Sequence, residues 1–505
     1  MKRHTFRASA AAAVGLVAAA SLAACGSSGN DAPGQLVAAT LVDVQSFDPT
    51  VNPGQGQRVF LDPVYDTLLR TDAEGNIVSG VATSYDLTPE YLDLTLEEGR
   101  EFSNGEPLDA EAVAANLEHR MASAGPASGP FANASGIEVT GPNTVRILLD
   151  RPAPALPIGL TDVAGILVAP GSLDAPDLGT NPVGSGPYVL DETASSAGVS
   201  YVYVPNERFA NEEEQTLDRL EIRVLTDDAA RAAAIRSGQV DISQIARAQT
   251  ETVSSGDVTV DTFPGNYWML HFTDIDGTQA PALENETFRQ AVCTAIDTES
   301  IAESIFFGYA DAQSQVFPPG NEFHVEDLTD IYSFDPEEAR ELLAESGVTD
   351  TSFTVPAFGP IQSVAEAIQG NLRDVGIDMG ITVVQPGTLD QENRETNFPA
   401  IITPIKQVHP QQLYVDRLAT NGPQNPFTVP HPEIDQAYER AANAEQDEER
   451  AAAFAEMQTL TADEALWCGL FQDQSIVAWN SEKVLDVENS VGWPMGPSFR
   501  GVTVQ

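Results

Sequence analysis

Apolar and polar positions follow two rhythms along this chain, one of period two and one of helical period, and they succeed one another without an internal repeat. Leu92, Leu94 and Leu96 alternate with polar residues, which predicts a strand with one buried face. Asn104-Gly105 supplies turn chemistry, and Asp109 is placed to cap a helix running through Val113, Leu117 and Met121. Ile137 to Val139 and Val145 to Leu149 read as two strands joined by Gly141-Pro142-Asn143. From Arg151 to Pro187 prolines and glycines are dense, which predicts loop and short strand at a lobe boundary. Strands are expected at Tyr188 to Leu190, Ser200 to Val204, Leu220 to Val224 and Val240 to Ile242, with a helix from Ala229 to Ser237 closed by Gly238.

The later half is richer in helical spacing. Phe288, Val292, Ile296, Ile301 and Ile305 fit one helix or two abutting ones. Asp335-Pro336-Glu337-Glu338 is a helix start, with a capping side chain, a proline at the first position and a glutamate at the third, and Gly347 ends that helix. Val364 to Val375 is amphipathic and leads through Gly376 into a strand at Ile381 to Val384. Helices at Glu433 to Ala442 and Asp447 to Ala465 complete a mixed α/β pattern.

Ahead of all this, Lys2, Arg3, His4 and Arg7 precede an alanine-rich apolar run from Ala8 to Leu22, shorter than a membrane-spanning helix requires. That is the layout of a secretory signal. Leu22-Ala23-Ala24-Cys25-Gly26 resembles the bacterial lipobox, which implies residues 1–24 as a signal peptide and Cys25 as the lipid-bearing first residue of the mature chain. Residues 25–35 are polar and glycine-containing, suited to a flexible tether.

The roughly 480 remaining residues exceed what one hydrophobic core holds, so two or three lobes are expected. Acidic residues number 75 against 25 basic, a formal charge of −50. A surface of that sign repels nucleic acid and anionic lipid headgroups, so no nucleic-acid partner is expected and membrane association falls to the lipid. Lysine occurs only at positions 2, 406 and 483, which singles out Lys406. Cys293 and Cys468 are the other two cysteines. An oxidising compartment permits a disulfide between them, and two separate buried thiols fit the sequence equally well.

Several segments together resemble one family. Gly80-Val81-Ala82-Thr83-Ser84-Tyr85, followed by Glu98-Gly99, Phe102 and Asn104-Gly105-Glu106-Pro107-Leu108, is similar to the family's "LAxSY … LREGVKFxDGxPL". Asn181-Pro182-Val183-Gly184-Ser185-Gly186-Pro187-Tyr188 is close to "xPVGTGPY". Gly238-Gln239-Val240-Asp241-Ile242, Phe288-Arg289-Gln290-Ala291-Val292 with Ala295-Ile296-Asp297, and Leu372 through Gly376-Ile377 match further motifs in the same order. The resemblance is to the extracellular solute-binding proteins of the peptide, nickel and opine importers of the ATP-binding-cassette type, family 5.

That resemblance implies a periplasmic-binding-protein type II fold, two main lobes joined by a hinge, with an extra inserted lobe. By analogy the first lobe comprises 36–61, 185–262 and 478–505, the inserted lobe 62–184, and the second lobe 263–477. The resemblance also implies a monomer that traps a short peptide or an anionic, peptide-like solute between the main lobes and delivers it to a membrane permease, with no cofactor and no catalysis. Its candidate solute contacts here are Gln57, Arg58 and Phe60 in the first lobe, Asn266, Tyr267, Trp268 and His271 where the chain enters the second, and Lys406 and His409 farther along. Peptide-binding members carry an aspartate near the position of Lys406 and His409, so this chain departs from their pattern. A lone lysine in a cleft favours an anionic group on the solute.

Other classes leave their own marks. No GxSxG, SxxK, CxxC or zinc motif points to an exported hydrolase. His271, His409 and His431 lack metal-ligand spacing, although a single histidine could touch a metal chelate. A receptor that signals occupancy without transport would share the same pattern.

Overall fold

A computed structural model describes residues 33–51, 55–72, 76–123, 126–254, 256–384, 398–405, 409–422, 424–444, 446–485, 487 and 499–505. Cys25, with the expected signal and most of the tether, and Lys406 lie outside the described residues. No helix among them is long and apolar enough to cross a membrane.

The Leu92, Leu94 and Leu96 alternation forms the strand Tyr91–Leu96, with all three leucines buried. It sits inside a four-stranded antiparallel sheet, in the order Ala82–Leu87, Tyr91–Leu96, Thr144–Leu149 and Ala134–Gly141. The helix Ala110–Ala122 covers one face, its first turn fixed by the Asp109 carboxylate accepting the Ala112 N–H at 3.1 Å. Burial of Val113 and Leu117 against these strands and against Leu156, Leu160 and Leu167 gives this unit its own core. It is the inserted lobe. The proline-rich connection after it contains single helical turns, Leu156–Gly159, Val163–Gly165 and Pro170–Ser172. The short strands expected there reduce to isolated bridges at Ile166 and Val168, because proline removes the donors a ladder needs.

A nine-stranded mixed sheet among the described residues forms the spine of the rest. Gln35–Thr40 runs parallel to both Arg219–Val224 and Ile242–Gln244, and Ser200–Pro205 and Tyr188–Leu190 extend that side antiparallel. The helix Asp228–Arg236 packs Ile235 on one face of this part with Val37 and Val240, while Phe60, Tyr188, Tyr203 and Leu220 bury the other. Val163, Ile166, Leu173 and Leu178 join the second of these clusters, so the insertion is seated directly on the first lobe.

The second lobe holds the helices. The residues from Glu286 to Phe306 form two, Glu286–Thr294 and Thr298–Phe306, because Asp297 starts a new cap by accepting the Ser300 N–H at 2.9 Å. Asp335 caps Pro336–Ser346 through the N–H groups of Glu337 and Glu338, and Gly347 closes it at φ +64°. The amphipathic helix beginning at Gly359 runs to Val375, a turn earlier than its apolar spacing indicates, with Pro360 in its first turn. Pro432–Asn443 and Asp447–Asp463 form an antiparallel pair around Ile434, Phe454 and Met457. A disulfide joins Cys293 on Glu286–Thr294 to Cys468, which fastens that helix to the central sheet.

Two strands connect the lobes. Val258–Phe272 and Trp467–Asn480 pair antiparallel through most of their length, their one half beside Ile242–Gln244 of the first lobe and their other half beside Ala400–Ile405 of the second. The register shifts between Pro264 and Tyr267. A Cβ on Gly265 would collide with the Asp473 carboxylate, so only glycine admits this approach.

Candidate functional site

The residues singled out in the sequence divide among three environments. Gln57 and the short helix Arg58–Leu61 lie in the first lobe, and Gln57, Arg58 and Phe60 are all buried. Gln57 Oε1 accepts the Gln45 N–H at 2.6 Å. Arg58 pairs with Asp162 of the insertion at 2.9 Å, and burial lowers its pKa against the raising effect of that carboxylate. Phe60 meets the Tyr201 ring edge-on at 5.0 Å between centroids.

Tyr267 and Trp268 cannot form one wall, because successive residues of a strand point to opposite faces. Trp268 packs among Phe306 and Phe471 and donates its Nε1–H to Asp473 Oδ2 at 3.0 Å. The same carboxylate accepts the Asn266 N–H at 2.7 Å and pairs with Arg247 of the first lobe at 3.0 Å. The Arg247 guanidinium also lies 4.7 Å from the Phe306 ring, so first-lobe and second-lobe groups meet at the register shift. Tyr267 faces the other way, into Met269, Val316, Phe317 and Leu413. Its hydroxyl is buried without a hydrogen-bond partner among the described residues.

His271 shares the Tyr267 face. Its Nδ1 lies 3.4 Å from Arg417 Nη1, and burial, with the nearby Arg417 and His431, drives its pKa well below the usual imidazole range. With His431, Asn425 and Thr273 these residues line a small pocket. A second small pocket lies beside Leu413, Met457 and Trp467. No group of three or more His, Cys, Asp or Glu among the described residues is placed to hold a metal ion.

His409 is used locally. Its Nδ1 accepts the Gln411 N–H at 3.1 Å and so caps the short helix Pro410–Leu413, while its ring packs edge-on against Phe323 and Phe454. Burial, aided by Arg450, lowers its pKa to about 3, so the ring is neutral at physiological pH. With Nδ1 accepting, the proton sits on Nε2. Tyr267, His271 and His409 therefore belong to one side of the second lobe, Trp268 to the other, and Gln57, Arg58 and Phe60 to the first lobe.

Two residues not singled out in the sequence join the lobes at a further point. The Ala155 N–H of the insertion donates to Gln411 Oε1 of the second lobe. Gln411 Nε2 in turn donates to the Tyr438 hydroxyl at 2.9 Å. Tyr438 stacks on Tyr414 at 3.8 Å between centroids, and the Tyr414 hydroxyl donates to Asp435 at 2.8 Å. The sequence signal for Gln411 was its place two residues after His409. Nothing local marked Asp473, whose partners Arg247, Asn266 and Trp268 lie 200 or more positions away.

The architecture is that of a type II binding protein with an inserted lobe, built as two bodies joined by paired strands. Residues 76–422, more than half of the chain, match the middle region of the bacterial extracellular solute-binding proteins, family 5, and the chain belongs to that family. It is 27% identical over 343 residues to the glutathione-binding protein GsiB of Salmonella paratyphi A, an alignment covering 64% of each protein. The chain therefore spans just under two thirds of the length of that curated relative. In fold it is similar to the ABC transporter substrate-binding protein CtaP of Listeria monocytogenes, with a TM-score of 0.81, 20% identity, and 94% and 99% of the two chains covered. It is also similar to the periplasmic binding protein DppA of Helicobacter pylori, solved with the peptide STSA, at a TM-score of 0.75 and 20% identity over 93% and 98% of the two chains.

Proposed function

We propose that this protein is the solute-capturing component of an ATP-binding-cassette importer, taking a short peptide or an anionic, peptide-like solute between its main lobes and handing it to a membrane permease. The observation that carries the reading is the family match over 76–422, which spans most of the inserted lobe, the 185–262 segment of the first lobe and most of the second. Two paired strands as the link between lobes support it, since a small change near Gly265 re-aims one lobe against the other. The glutathione-binding relatives support a small, acidic, peptide-like cargo. In this reading the lobes divide near 36–61, 185–262 and 478–505 for the first, 62–184 for the insertion and 263–477 for the second. Gln57, Arg58, Asn266 and His271 are candidates for groups that sense or frame the solute, and Lys406 is the candidate cation for its carboxylate. Cys25 carries the lipid that holds an acidic body at the outer face of the cell membrane, and the protein acts as a monomer without catalysing a reaction.

Native mass spectrometry of protein purified without denaturant, followed by calorimetric titration with glutathione and with di- and tripeptides, tests the proposal. Retained mass of a few hundred daltons, or saturable binding of one of these probes, is the expected result. Absence of both, with unchanged peptide and glutathione uptake in a strain lacking the gene, would overturn it.

A further inference from the structure

The inserted lobe is covalently continuous with the first lobe, yet it touches the second at Ala155. Ala155 lies in Arg151-Pro152-Ala153-Pro154-Ala155, a segment whose two prolines restrict its backbone. Its neighbours satisfy themselves locally: the Leu156 N–H donates to Ala153 O and the Gly159 N–H to Ala155 O. The Ala155 N–H instead finds its acceptor in the second lobe. An amide N–H can only donate, so it selects the oxygen of the Gln411 side chain, and the Tyr438 hydroxyl takes the nitrogen end.

Gln411 is held to that orientation from both sides. Its backbone is fixed by the His409 cap, and the imidazole of His409 is itself locked between Phe323 and Phe454. Its side chain is 5% exposed. Tyr438 is anchored through its stack on Tyr414 and the Tyr414 bond to Asp435, which sits one helical turn before Tyr438 on Pro432–Asn443. Arg151 lies close enough to Tyr438 for its charge to act on the phenol, so the approach of the two lobes extends beyond the one hydrogen bond.

We infer that Gln411 is a latch: its side-chain oxygen clasps the Ala155 amide when the second lobe closes on the inserted lobe, and releases it when the lobes part. The inference rests on the proposed capture of a solute between the lobes, and it gives the insertion an active part in closure. It also assigns His409, Tyr414 and Tyr438 as positioning residues for the latch.

The test uses the full mature chain without added solute, in which the latch is expected to hold the lobes together for part of the time, so failure of the latch and failure of solute capture are read separately. Residue-resolved amide hydrogen exchange is compared for the natural protein, Gln411→Met and Tyr438→Phe, with small-angle X-ray scattering on each. The expected result is exchange at Ala155 at least tenfold faster in Gln411→Met and less so in Tyr438→Phe. Amides of the Tyr91–Leu96 strand stay unchanged, and the radius of gyration rises. Equal exchange at Ala155 in all three proteins would overturn the latch. So would acceleration that spreads evenly through the Tyr91–Leu96 strand in both variants, since that marks general loss of stability.

Discussion

Arg500, five residues from the C-terminus, donates to the Asp66 carboxylate at 3.0 Å across 434 positions of chain. Asp66 is 1% exposed and also faces Arg100 and Arg70, while Arg500 reaches Glu214 at 2.9 Å and the carbonyl oxygens of Asp62 and Tyr65. One guanidinium thus ties the chain end, the first lobe and the root of the insertion together.

Removing it leaves Asp66 and Glu214 short of positive charge in a buried place. Arg500→Met should destabilise by about 3–5 kcal/mol, the range for breaking a buried pair on one side. Urea unfolding measures this, and a loss below about 1 kcal/mol would show that Arg70 and Arg100 suffice.

Cys293 and Cys468 are 175 positions apart, so their bond closes a long loop. Replacing both with alanine should lower stability by roughly 2–5 kcal/mol, chiefly by freeing the unfolded chain. The melting temperature reads this directly, and reductant should lower it in the natural protein but leave the double variant unchanged.

Tyr267 and Gly469 make opposite predictions within one contact. A Cβ on Gly469 would strike the Tyr267 hydroxyl and the Ser314 carbonyl oxygen. Gly469→Ala should therefore cost about 1–3 kcal/mol by overpacking. Tyr267→Phe removes a buried hydroxyl that has no partner among the described residues, so it should leave stability unchanged or raise it by about 1 kcal/mol. If Tyr267→Phe loses solute binding while keeping its stability, Tyr267 belongs to the solute site and the core assignment fails.

Acid should weaken the fold through several groups acting with the same sign, His409 and Glu214 among them and buried His271 alongside. His409 has its folded pKa lowered to about 3, by burial first and Arg450 second, so below about 6.5 the unfolded chain binds the extra proton. For Glu214, burial raises the pKa, but Arg70 and Arg500 outweigh it and bring it to about 2 from an ordinary 4.5. Both contributions are present at neutral pH. The histidine part is lost as pH falls from about 6.5 toward 3 and the glutamate part from about 4.5 toward 2, each by up to about tenfold in the folding equilibrium per pH unit. Denaturation followed at stepped pH checks it, and His409→Asn should flatten the upper part of the curve.

Local signals were legible in the sequence and long-range ones were not. Asp109, Asp297 and Asp335 act within three residues of themselves, so a cap could be read for two of them and a break between two helices allowed at the third. The alternation at Leu92 to Leu96 likewise declares its buried face. Arg500, Asp473 and Gln411 take their meaning from partners 200 or more residues away, and only Gln411, two residues after His409, has a local signal. Tyr267 and Trp268 are neighbours in the sequence. In a strand adjacency separates them, and the register that sends each to its own cluster comes from Trp467–Asn480. His409 stands out only through the family resemblance, near where peptide-binding members carry an aspartate, and its neutral, capping role depends on Phe323 and Phe454.

The sheet order fixes a timetable for the chain as it is made or threaded through a membrane. The four strands of the insertion are contiguous between Ala82 and Leu149 and can assemble early. The first lobe cannot: its Ile242–Gln244 strand waits for Trp467–Asn480, and Asp66 waits for Arg500. Until Trp467–Asn480 emerges, the lobe begun first is the one left unfinished, with its sheet edge bare. A chain stalled before that strand would present the edge to proteases and to other copies of itself.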